Sequence, residues 1–369
     1  MPLVEAINRA KSRVEIVIFR FDLAEIEKAL ADAAGRGVFV HTLIAYTNRG
    51  GERNLRKLEM RLLEAGITVA RTSDDLVRYH DKFLIIDRSE LFLLSFNFTH
   101  LDIDHSRCFG LLTDNPKLVA EAVKLFEADT KRQPYVPGSA DFVVSPLNAR
   151  KQLAAFLQGA KKELLIYDPE ISDPAMLRIL HEQAQAGVEI KVIGRISRQS
   201  SKLAVRKLTI MRLHTRTIIR DGGRAFVGSQ SLREMELGNR REVGIIFRDT
   251  KIVGKLAKIF HDDWEAIEKA NQQAITTNDT AKQDAAPDSA DAAKVAKKVA
   301  KAITKDMPAV APVLRVMVRE LVGESVDMEF DTAVMEENVK DAVKEAVKEA
   351  VRDAVETAVE QNGAQHSNP

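Results

Sequence analysis

Two histidines in this chain each stand two residues before a basic side chain, at the start of an apolar stretch. His80 precedes Lys82, and His214 precedes Arg216. Residues two apart in a strand leave the same face, so each imidazole and its neighbouring cation can meet one anion. A phosphate group suits this pair, because the cation holds its oxygens while the imidazole attacks phosphorus or moves a proton.

The two pairs belong to an internal repeat. Residues 79–129 match residues 213–263 at a constant offset of 134. HDKFLIID, beginning at His80, aligns with HTRTIIRD, beginning at His214, and LSFN aligns with GSQS. Upstream of both motifs, strand-like and helical patterns alternate. The repeat predicts one α/β module present twice, so that a single chain can supply both histidines and act as a monomer.

The turn between the apolar runs predicts which residues face each other. Asp221, Gly222, Gly223 and Arg224 suit a two-residue hairpin turn, because both glycines accept positive φ. Applied to both copies, this register faces four pairs of residues, namely Arg216 with Ser229, His214 with Ser231, Lys82 with Ser95, and His80 with Asn97. Each copy would then offer a phosphodiester one imidazole, one cation and neutral hydrogen-bonding groups.

These motifs closely resemble the duplicated signature of the phospholipase D superfamily, which is His-x-Lys, Asp five residues after the Lys, and then Gly-Ser-x-Asn. The resemblance covers roughly residues 1–268. It implies two tandem α/β lobes related by pseudo-twofold symmetry, with the site at their seam. It also implies phosphodiester cleavage or transfer through a phosphohistidine, without a metal or other cofactor.

The resemblance implies a role for each motif residue. His80 is predicted to be the nucleophile, since its copy keeps Lys82 and Asn97, and His214 to be the general acid that then activates water. The predicted phosphate-binding residues are Lys82, Asn97, Arg216 and Ser231, assisted by Ser95 and Ser229. Asp87 and Asp221 are predicted to be structural, each beginning a hairpin turn. Glu242 is predicted to orient a catalytic histidine.

Four positions depart from the family pattern. They are Leu94 in place of Gly, Arg216 in place of Lys, Ser231 in place of Asn, and Cys108 where the second copy has Glu242. These departures leave open a degenerate relative that keeps the fold alone, whereas retention of both histidines favours an enzyme. A metal site built from His80, His100 and His105 lacks any usual ligand spacing, and we expect none.

Composition predicts how charge is distributed along the chain and where in the cell the protein works. The net charge of +1 divides into +7 for residues 1–270 and −6 for residues 271–369. The longest apolar runs are strand-sized, far below the roughly 20 residues of a membrane span. With one cysteine and no signal segment, the chain is predicted to be cytoplasmic, with at most peripheral membrane contact.

Four regions are predicted along the chain. Residues 1–135 and 136–270 form the two phospholipase D-like lobes, residues 271–292 a flexible linker, and residues 293–369 a low-complexity helical tail. The lysine-rich stretch 292–305 predicts a basic helix that could lie on anionic lipid or nucleic acid, although a solvated helix is the simpler interpretation.

Phospholipid and nucleic-acid phosphodiesters would need the same histidines and cations in the core site, so these residues do not distinguish the two substrates. We favour phospholipid, because the basic helix suits anionic headgroups, and because the elements AGRGV and NFT are similar to those of bacterial phospholipases and cardiolipin-synthase-like proteins. A nuclease would draw on the +7 lobes and bind DNA in a salt-sensitive way.

A scaffold acting through its helical tail belongs to a different class. It would lose its function on deletion of residues 271–369 and keep it in His80→Asn, and the enzyme hypothesis predicts the reverse.

Overall fold

The structure, a computed structural model, describes residues 1–47, 52–197 and 203–284. Contacts divide the chain into two units, Met1–Asn271 and Gln272–Pro369. The predicted helical tail lies outside the described residues. Residues 271–284, predicted as linker, belong to a helix that ends at Asp284. No glycine or proline interrupts residues 255–284, and their alanine, lysine and glutamine favour helix.

The first lobe alternates strands with helices. Its strands are β1 (Arg13–Ile18), β2 (Phe39–Ile44), β3 (Thr68–Arg71), β4 (Arg78–Tyr79), β5 (Phe83–Ile86), β6 (Glu90–Leu94), β7 (Ser106–Arg107) and β8 (Gly110–Thr113). Its helices are α1 (Pro2–Arg9), α2 (Ala24–Gly35), α3 (Glu52–Glu64), α4 (His100–His105) and α5 (Pro116–Lys131).

The second lobe has a similar order, with an extra first strand, with β16 at the positions of β7 and β8, and without an equivalent of α3 among its described residues. Its strands are β9 (Phe142–Ser145), β10 (Glu163–Ile171), β11 (Glu189–Ile196), β12 (Ala204–Arg206), β13 (Arg212–Leu213), β14 (Arg216–Arg220), β15 (Arg224–Gly228) and β16 (Arg240–Phe247). Its helices are α6 (Ala149–Gln158), α7 (Pro174–Gln185), α8 (Glu234–Gly238) and α9 (Thr250–Asp284).

The two main sheets have the same topology. The first runs β3-β2-β1-β5-β6-β8, and the second runs β12-β11-β10-β14-β15-β16, with β9 added antiparallel to β16. In each sheet, a parallel pair joined by a helix, β1 with β2 or β10 with β11, lies beside an antiparallel hairpin. The prediction of two α/β lobes from the repeat is confirmed.

Apolar residues of both lobes pack together at the seam. One core cluster joins Phe83 and the α5 residue Phe126 to Phe142 of the second lobe. A matching cluster joins Tyr167 and the α9 residue Phe260 to Phe109 of the first lobe. Because each lobe completes the core of the other, the lobes are held in a fixed relation around the site.

Two short parallel strand pairs also cross the seam. Tyr79 of β4 pairs with Arg241 of β16, and Arg107 of β7 pairs with Leu213 of β13. The two pairings are equivalent under the repeat offset. Each histidine motif follows directly on one of them, at the end of β4 or of β13.

The predicted hairpin register was wrong by one residue. Arg216 pairs with Gly228 rather than Ser229, and the backbone N–H of Leu94 donates to the carbonyl of Lys82 at 3.0 Å. Each turn contains three residues instead of two, because Asp87 (φ 50°) and Asp221 (φ 52°) adopt the left-handed conformation. These aspartates adopt that conformation because their carboxylates accept hydrogen bonds from the backbone of another segment.

Asp87 and Asp221 act as equivalent caps. Asp87 accepts hydrogen bonds from the backbone N–H groups of residues 11–13 and from the Ser12 hydroxyl, at 2.8 to 3.2 Å. Asp221 accepts from the N–H groups of residues 161–163 at 2.7 to 3.1 Å. These bonds outweigh the opposing effect of burial and lower the pKa of Asp87 to about 2.

Candidate active site

Each histidine motif is held by the backbone of the opposite lobe. The N–H of His80 donates to the carbonyl of Arg241 at 2.8 Å. The N–H groups of His214 and Thr215 donate to the carbonyl of Arg107 at 3.1 and 2.9 Å. The two imidazoles thus meet at the seam, where they lie close enough for His80 to lower the pKa of His214.

The two cations of the motifs are buried beside the imidazoles. Lys82 Nζ donates to the carbonyl of His80 at 2.5 Å, and Arg216 Nη1 donates to the carbonyl of His214 at 2.7 Å. Lys82 is 1% exposed and Arg216 is 9% exposed. Two buried cations that both act on the same imidazoles favour an anionic ligand, whose charge would compensate both.

Burial and these cations change the protonation of the site. Burial, followed by the charges of Lys82 and Arg216, holds the pKa of His80 well below its usual range. Burial and the same two cations lower the pKa of His214. Burial lowers the pKa of Lys82 to about 7. Without a bound anion, both imidazoles are therefore neutral at pH 7, and each keeps a ring nitrogen with a lone pair.

Glu242 holds His80 from across the seam. Its Oε2 lies 2.8 Å from His80 Nδ1, in hydrogen-bond geometry. Glu242 is completely buried, and burial raises the pKa of its carboxyl group although Lys82 and Arg216 act in the opposite direction. An Nδ1 proton shared with this carboxylate leaves Nε2 of His80 free to face a ligand.

The histidine of the second lobe has a looser partner. Asp102 Oδ2 lies 3.5 Å from His214 Nδ1, which has no hydrogen-bond partner among the described residues. Asp102 Oδ2 instead accepts from the backbone N–H and the side-chain amide of Asn97, both at 2.7 Å. Asp102 was not among the residues predicted from the sequence. The repeat offset could have found it, because Asp102 is equivalent to Glu236, which accepts from the N–H of Ser231 at 2.7 Å.

Cys108 accounts for the difference between the two histidines. It stands at the repeat position of Glu242, so the first lobe has no carboxylate there to hold His214. Its thiol donates to the carbonyl of Asp102 at 3.2 Å, and burial raises its pKa to about 11. The thiol therefore stays protonated near neutral pH.

The neutral residues predicted to bind phosphate fall into two groups. Ser231 Oγ accepts from Arg216 Nε at 3.1 Å, and the side-chain oxygen of Asn97 is buried without a partner among the described residues. Ser95 and Ser229 are instead engaged with neighbouring strands, where their hydroxyls accept from the N–H groups of Phe109 and Val243 at 2.9 and 3.2 Å. Asn97 and Ser231 thus contact charged side chains of the site, Asp102 and Arg216, whereas Ser95 and Ser229 chiefly support the strands.

Two ion pairs, one buried and one partly buried, connect the lobes across the seam. Arg241 donates to both oxygens of Asp129 at 3.0 Å, and Arg107 donates to both oxygens of Asp263 at 2.7 Å. The pairs are equivalent under the repeat offset. Each arginine also supplies the carbonyl that holds a histidine motif. The bidentate geometry therefore fixes the position of the imidazoles.

Asp81, between His80 and Lys82, was also missed. It is 1% exposed, and neither carboxyl oxygen has a hydrogen-bond partner among the described residues. Burial and the charge of Asp129 raise its pKa to about 8. The repeat equivalent is Thr215, so nothing in the repeat pattern singles out a carboxyl group at this position.

We expect Asp81 to make folding stability depend on pH. In the unfolded chain its pKa is about 3.9, so between pH 4 and 8 the folded protein binds a proton that the unfolded chain releases. The free energy of unfolding contributed by this group falls as pH rises through that window. Asp81→Asn should therefore gain stability relative to wild type from pH 5 to pH 9, in urea denaturation series at fixed ionic strength.

Asp87→Asn is the matched control for this experiment. The pKa of Asp87 is already lowered to about 2, so its carboxylate contributes stability at every pH above about 4. Its deficit relative to wild type should stay constant between pH 5 and 9. A constant difference for Asp81→Asn over the same range would show that Asp81 is ionised in the folded protein at pH 5.

Two further properties concern the described residues as a whole. No group of three or more His, Cys, Asp or Glu side chains within residues 1–47, 52–197 and 203–284 is arranged to hold a metal ion. None of the helices in those ranges is both long enough and apolar enough to cross a membrane.

The chain matches a family profile over both lobes. The family described as "Cardiolipin synthase, PLD-like domain" matches residues 3–130 and 153–264. Mitochondrial cardiolipin hydrolase of Danio rerio is 29% identical over 130 residues, which cover 34% of this chain and 56% of that protein. Polyphosphate kinase 1 of Chlorobaculum tepidum is 26% identical over 215 residues, which cover 53% of this chain and 30% of that protein. The matches thus span about half or less of these relatives.

Solved structures share the fold. Polyphosphate kinase of Porphyromonas gingivalis superposes with a TM-score of 0.60 at 21% identity, covering 71% of this chain and 47% of that one. Phosphatidylserine synthase of Haemophilus influenzae Rd KW20 superposes with a TM-score of 0.56 at 10% identity, covering 72% and 83%. With the duplicated motifs, the two equivalent lobes and a family profile that covers both, this chain belongs to the phospholipase D superfamily.

Proposed function

We propose that this protein cleaves or transfers the phosphatidyl group of glycerophospholipids through a phosphohistidine, without a metal ion. The observation that carries the proposal is the buried pair of imidazoles, one from each lobe, with Lys82 and Arg216 beside them. Arg216 and Lys82 supply the charge that a phosphodiester needs, since the negative charge of the bound phosphate favours the protonated form of Lys82. The two imidazoles supply a nucleophile and a proton donor.

His80 is the proposed nucleophile. Its Nδ1 is hydrogen-bonded to Glu242 at 2.8 Å, so the Nε2 lone pair is available for attack. The P–N bond forms while the P–O bond to the departing alcohol breaks, in line with each other. The Glu242 carboxylate orients the ring and stabilises the positive charge that the ring acquires when it attacks phosphorus.

His214 is the proposed proton donor. It protonates the oxygen of the departing alcohol, and then accepts a proton from water or an acceptor alcohol whose oxygen attacks phosphorus. That second attack breaks the P–N bond, releases the product and restores His80. Burial, Arg216 and Lys82 keep the pKa of His214 low in the free protein, and the negative charge of a bound phosphodiester offsets the two cations. Substrate binding thus favours the protonated ring.

The phosphate would be held from both lobes. Lys82 and Arg216 are the proposed partners of the nonbridging oxygens, with Asn97 and Ser231 completing the set. Ser95 and Ser229 are proposed to assist by keeping the neighbouring strand ends in position, since their hydroxyls bond to strand backbone. Asp87 and Asp221 support the fold through the caps at the far end of the hairpins.

A lipid substrate is supported by the comparisons rather than by the core site. The family is described by cardiolipin synthase, and one relative with 29% identity is named a cardiolipin hydrolase. We also propose that the protein works in the cytoplasm, at the membrane surface, and as a monomer, because one chain holds both histidines.

Phosphatidylethanol formation tests this function. Vesicles of phosphatidylglycerol or phosphatidylcholine are incubated with the full chain, dilute ethanol and a metal chelator, and products are separated by mass spectrometry. We expect product from wild type and none from His80→Asn or His214→Asn, because ethanol can intercept only a covalent phosphatidyl-enzyme. Absence of product from wild type on both lipids would contradict a phospholipid substrate.

Transfer of phosphoryl groups from polyphosphate is the second candidate. It is favoured by the polyphosphate kinases, whose sequence match covers 53% of this chain and whose structure superposes with a TM-score of 0.60. Parallel reactions with radiolabelled polyphosphate plus ADP, whose reacting bond is a phosphoanhydride, and with DNA, a phosphodiester, separate these alternatives from phospholipid turnover. The lipid, polyphosphate and DNA reactions would all use His80 and His214, so only the product identifies the substrate.

A further inference from the structure

The imidazole of His214 has an unmet hydrogen-bonding position. His214 is 6% exposed, and its Nδ1 has no hydrogen-bond partner among the described residues. The corresponding nitrogen of His80 bonds to Glu242 at 2.8 Å. Cys108 stands at the repeat position of Glu242, and its thiol donates to a backbone carbonyl instead. A buried imidazole that has to carry a proton therefore lacks the carboxylate that its counterpart has.

Asp102 places a carboxylate beside this nitrogen. Its side chain is buried, and its Oδ2 lies 3.5 Å from His214 Nδ1. An N–H···O hydrogen bond usually spans about 3 Å between the heavy atoms. A small rotation of the Asp102 carboxylate would therefore bring the two atoms into hydrogen-bond contact.

The hydrogen bonds of Asp102 explain why this contact is open in the free protein. Asp102 Oδ1 accepts from Arg212, and Oδ2 accepts from both the backbone N–H and the side-chain amide of Asn97, at 2.7 Å each. A carboxylate oxygen has two lone pairs, so both sites of Oδ2 are taken. His214 can bond to Oδ2 only when one of these donors leaves.

The side-chain amide of Asn97 is the donor that can leave. It can rotate, whereas the backbone N–H cannot, and Asn97 is among the residues predicted to bind phosphate. Its side-chain oxygen is buried without a partner among the described residues, so the amide has no second contact there that fixes its orientation. A phosphate oxygen in the site would compete with Asp102 for the Asn97 amide.

The charges around His214 make a carboxylate partner necessary for proton donation. Burial, followed by the charges of Arg216 and Lys82, lowers the pKa of His214 in the free protein. A ring that donates a proton from Nε2 must first be protonated at both nitrogens. An anion at Nδ1 favours that form, because it offsets part of the neighbouring positive charge.

The equivalent acid of the second lobe has other contacts. Glu236 Oε2 accepts from the N–H of Ser231 at 2.7 Å and lies 3.8 Å from Arg216, and Oε1 accepts from Arg240 at 3.2 Å. Glu242 already holds His80, so Glu236 has no such role to fill. An acid of this pair thus lies beside an unpartnered imidazole in the lobe where cysteine replaces the glutamate.

We propose that Asp102 is the positioning residue of His214. When a phosphate binds, the Asn97 amide turns to a phosphate oxygen, and Asp102 Oδ2 accepts the Nδ1–H of His214. The Nε2 proton then passes to the oxygen of the departing alcohol, while the Nδ1 proton stays at the hydrogen bond with Asp102. The proposal rests on the proton-donor role proposed for His214 above and names the group that orients its ring.

Nuclear magnetic resonance of the ring N–H groups tests the contact without turnover. The full chain, labelled with ¹⁵N-histidine, is titrated with inorganic phosphate. We expect a new low-field N–H signal that disappears in His214→Asn and in Asp102→Asn. Asp104→Asn should keep the signal, because Asp104 lies on the same helix, α4, with its side chain 52% exposed.

Two leaving groups test the effect on proton donation. Methyl p-nitrophenyl phosphate and methyl phenyl phosphate share the methyl phosphate group, but only the phenol, with a pKa of about 10, needs a proton to leave. Asp102→Asn should slow the release of phenol in the first turnover by about 100-fold, and that of nitrophenol by less than about threefold. A general loss of structure would slow both reactions alike.

A carboxylate at position 108 should replace that of Asp102. In the Asp102→Asn background, we expect Cys108→Glu to restore phenol release by at least about tenfold, because it returns a carboxylate to the repeat position of Glu242. Cys108→Gln is the matched control, since glutamine has the same size without the charge. It should leave phenol release at the level of Asp102→Asn.

Four outcomes would overturn the role of Asp102. They are absence of the new N–H signal in phosphate-bound wild type, its persistence in Asp102→Asn, equal slowing of the two leaving groups, and equal rescue by glutamate and glutamine. Failure of the proposed function would appear differently, as wild type that releases no nitrophenol. The N–H signal would still decide whether Asp102 holds His214.

Discussion

With an activated p-nitrophenyl phosphodiester in place of a phospholipid, His80→Asn should abolish the first covalent step, whereas His214→Asn should spare that step and stop turnover after it. With a p-nitrophenyl phosphodiester, the leaving group needs no proton, so His214→Asn can still form the intermediate at His80. We expect a burst of about one equivalent of nitrophenol followed by a stall in His214→Asn, measured by stopped flow. His80→Asn should show no burst, with turnover lower by about 10⁴-fold or more.

The structural reason for this split lies in the two carboxylates. Glu242 bonds to His80 at 2.8 Å, whereas Asp102 stands 3.5 Å from His214 and is occupied by Asn97. Wild type supplies the positive control for the burst. A burst in His80→Asn together with none in His214→Asn would reverse the assignment of nucleophile and acid.

The second large effect concerns the seam. Asp129→Ala should destabilise the protein by about 3–5 kcal/mol, because Arg241 would be left buried without its counter-charge. Activity should fall with stability, since the carbonyl of Arg241 holds His80. Chemical denaturation at pH 7 measures the first effect, and phosphatidylethanol formation measures the second.

Glu127→Ala is the matched control for Asp129→Ala. Glu127 lies on the same helix, α5, and also pairs with an arginine, Arg88, but its side chain is 39% exposed. Exposed ion pairs contribute about 0–1 kcal/mol, so this variant should stay close to wild type. An equal decrease in the free energy of unfolding in the two variants would mean that the Arg241–Asp129 pair stabilises the protein no more than an exposed ion pair does.

The sequence predicted the fold through its repeat. Two copies of one α/β pattern, at an offset of 134, were enough to predict two equivalent lobes. The hairpin register could not be predicted, because it depends on the left-handed conformation of Asp87 and Asp221. That conformation follows from hydrogen bonds to residues 11–13 and 161–163, which are distant in sequence.

The sequence indicated which motif residues come together, but not the contacts that they make. His80, Lys82, His214 and Arg216 meet as the motif spacing suggested, although the register used to argue for their neighbours was wrong. Asp81 could not be found, because its importance comes from burial without a partner. A motif indicates residues that the chemistry needs. The burial of a residue such as Asp81 depends on how the two lobes pack, which the motif does not show.

The position of the covalent adduct decides whether His80 is the nucleophile. His214→Asn is incubated with a p-nitrophenyl phosphodiester, denatured in alkali to preserve P–N bonds, digested and mapped by mass spectrometry. We expect one adduct, on the peptide that contains His80, and none in a His80→Asn/His214→Asn double variant. An adduct elsewhere, or turnover without any adduct, would contradict a phosphohistidine mechanism at His80.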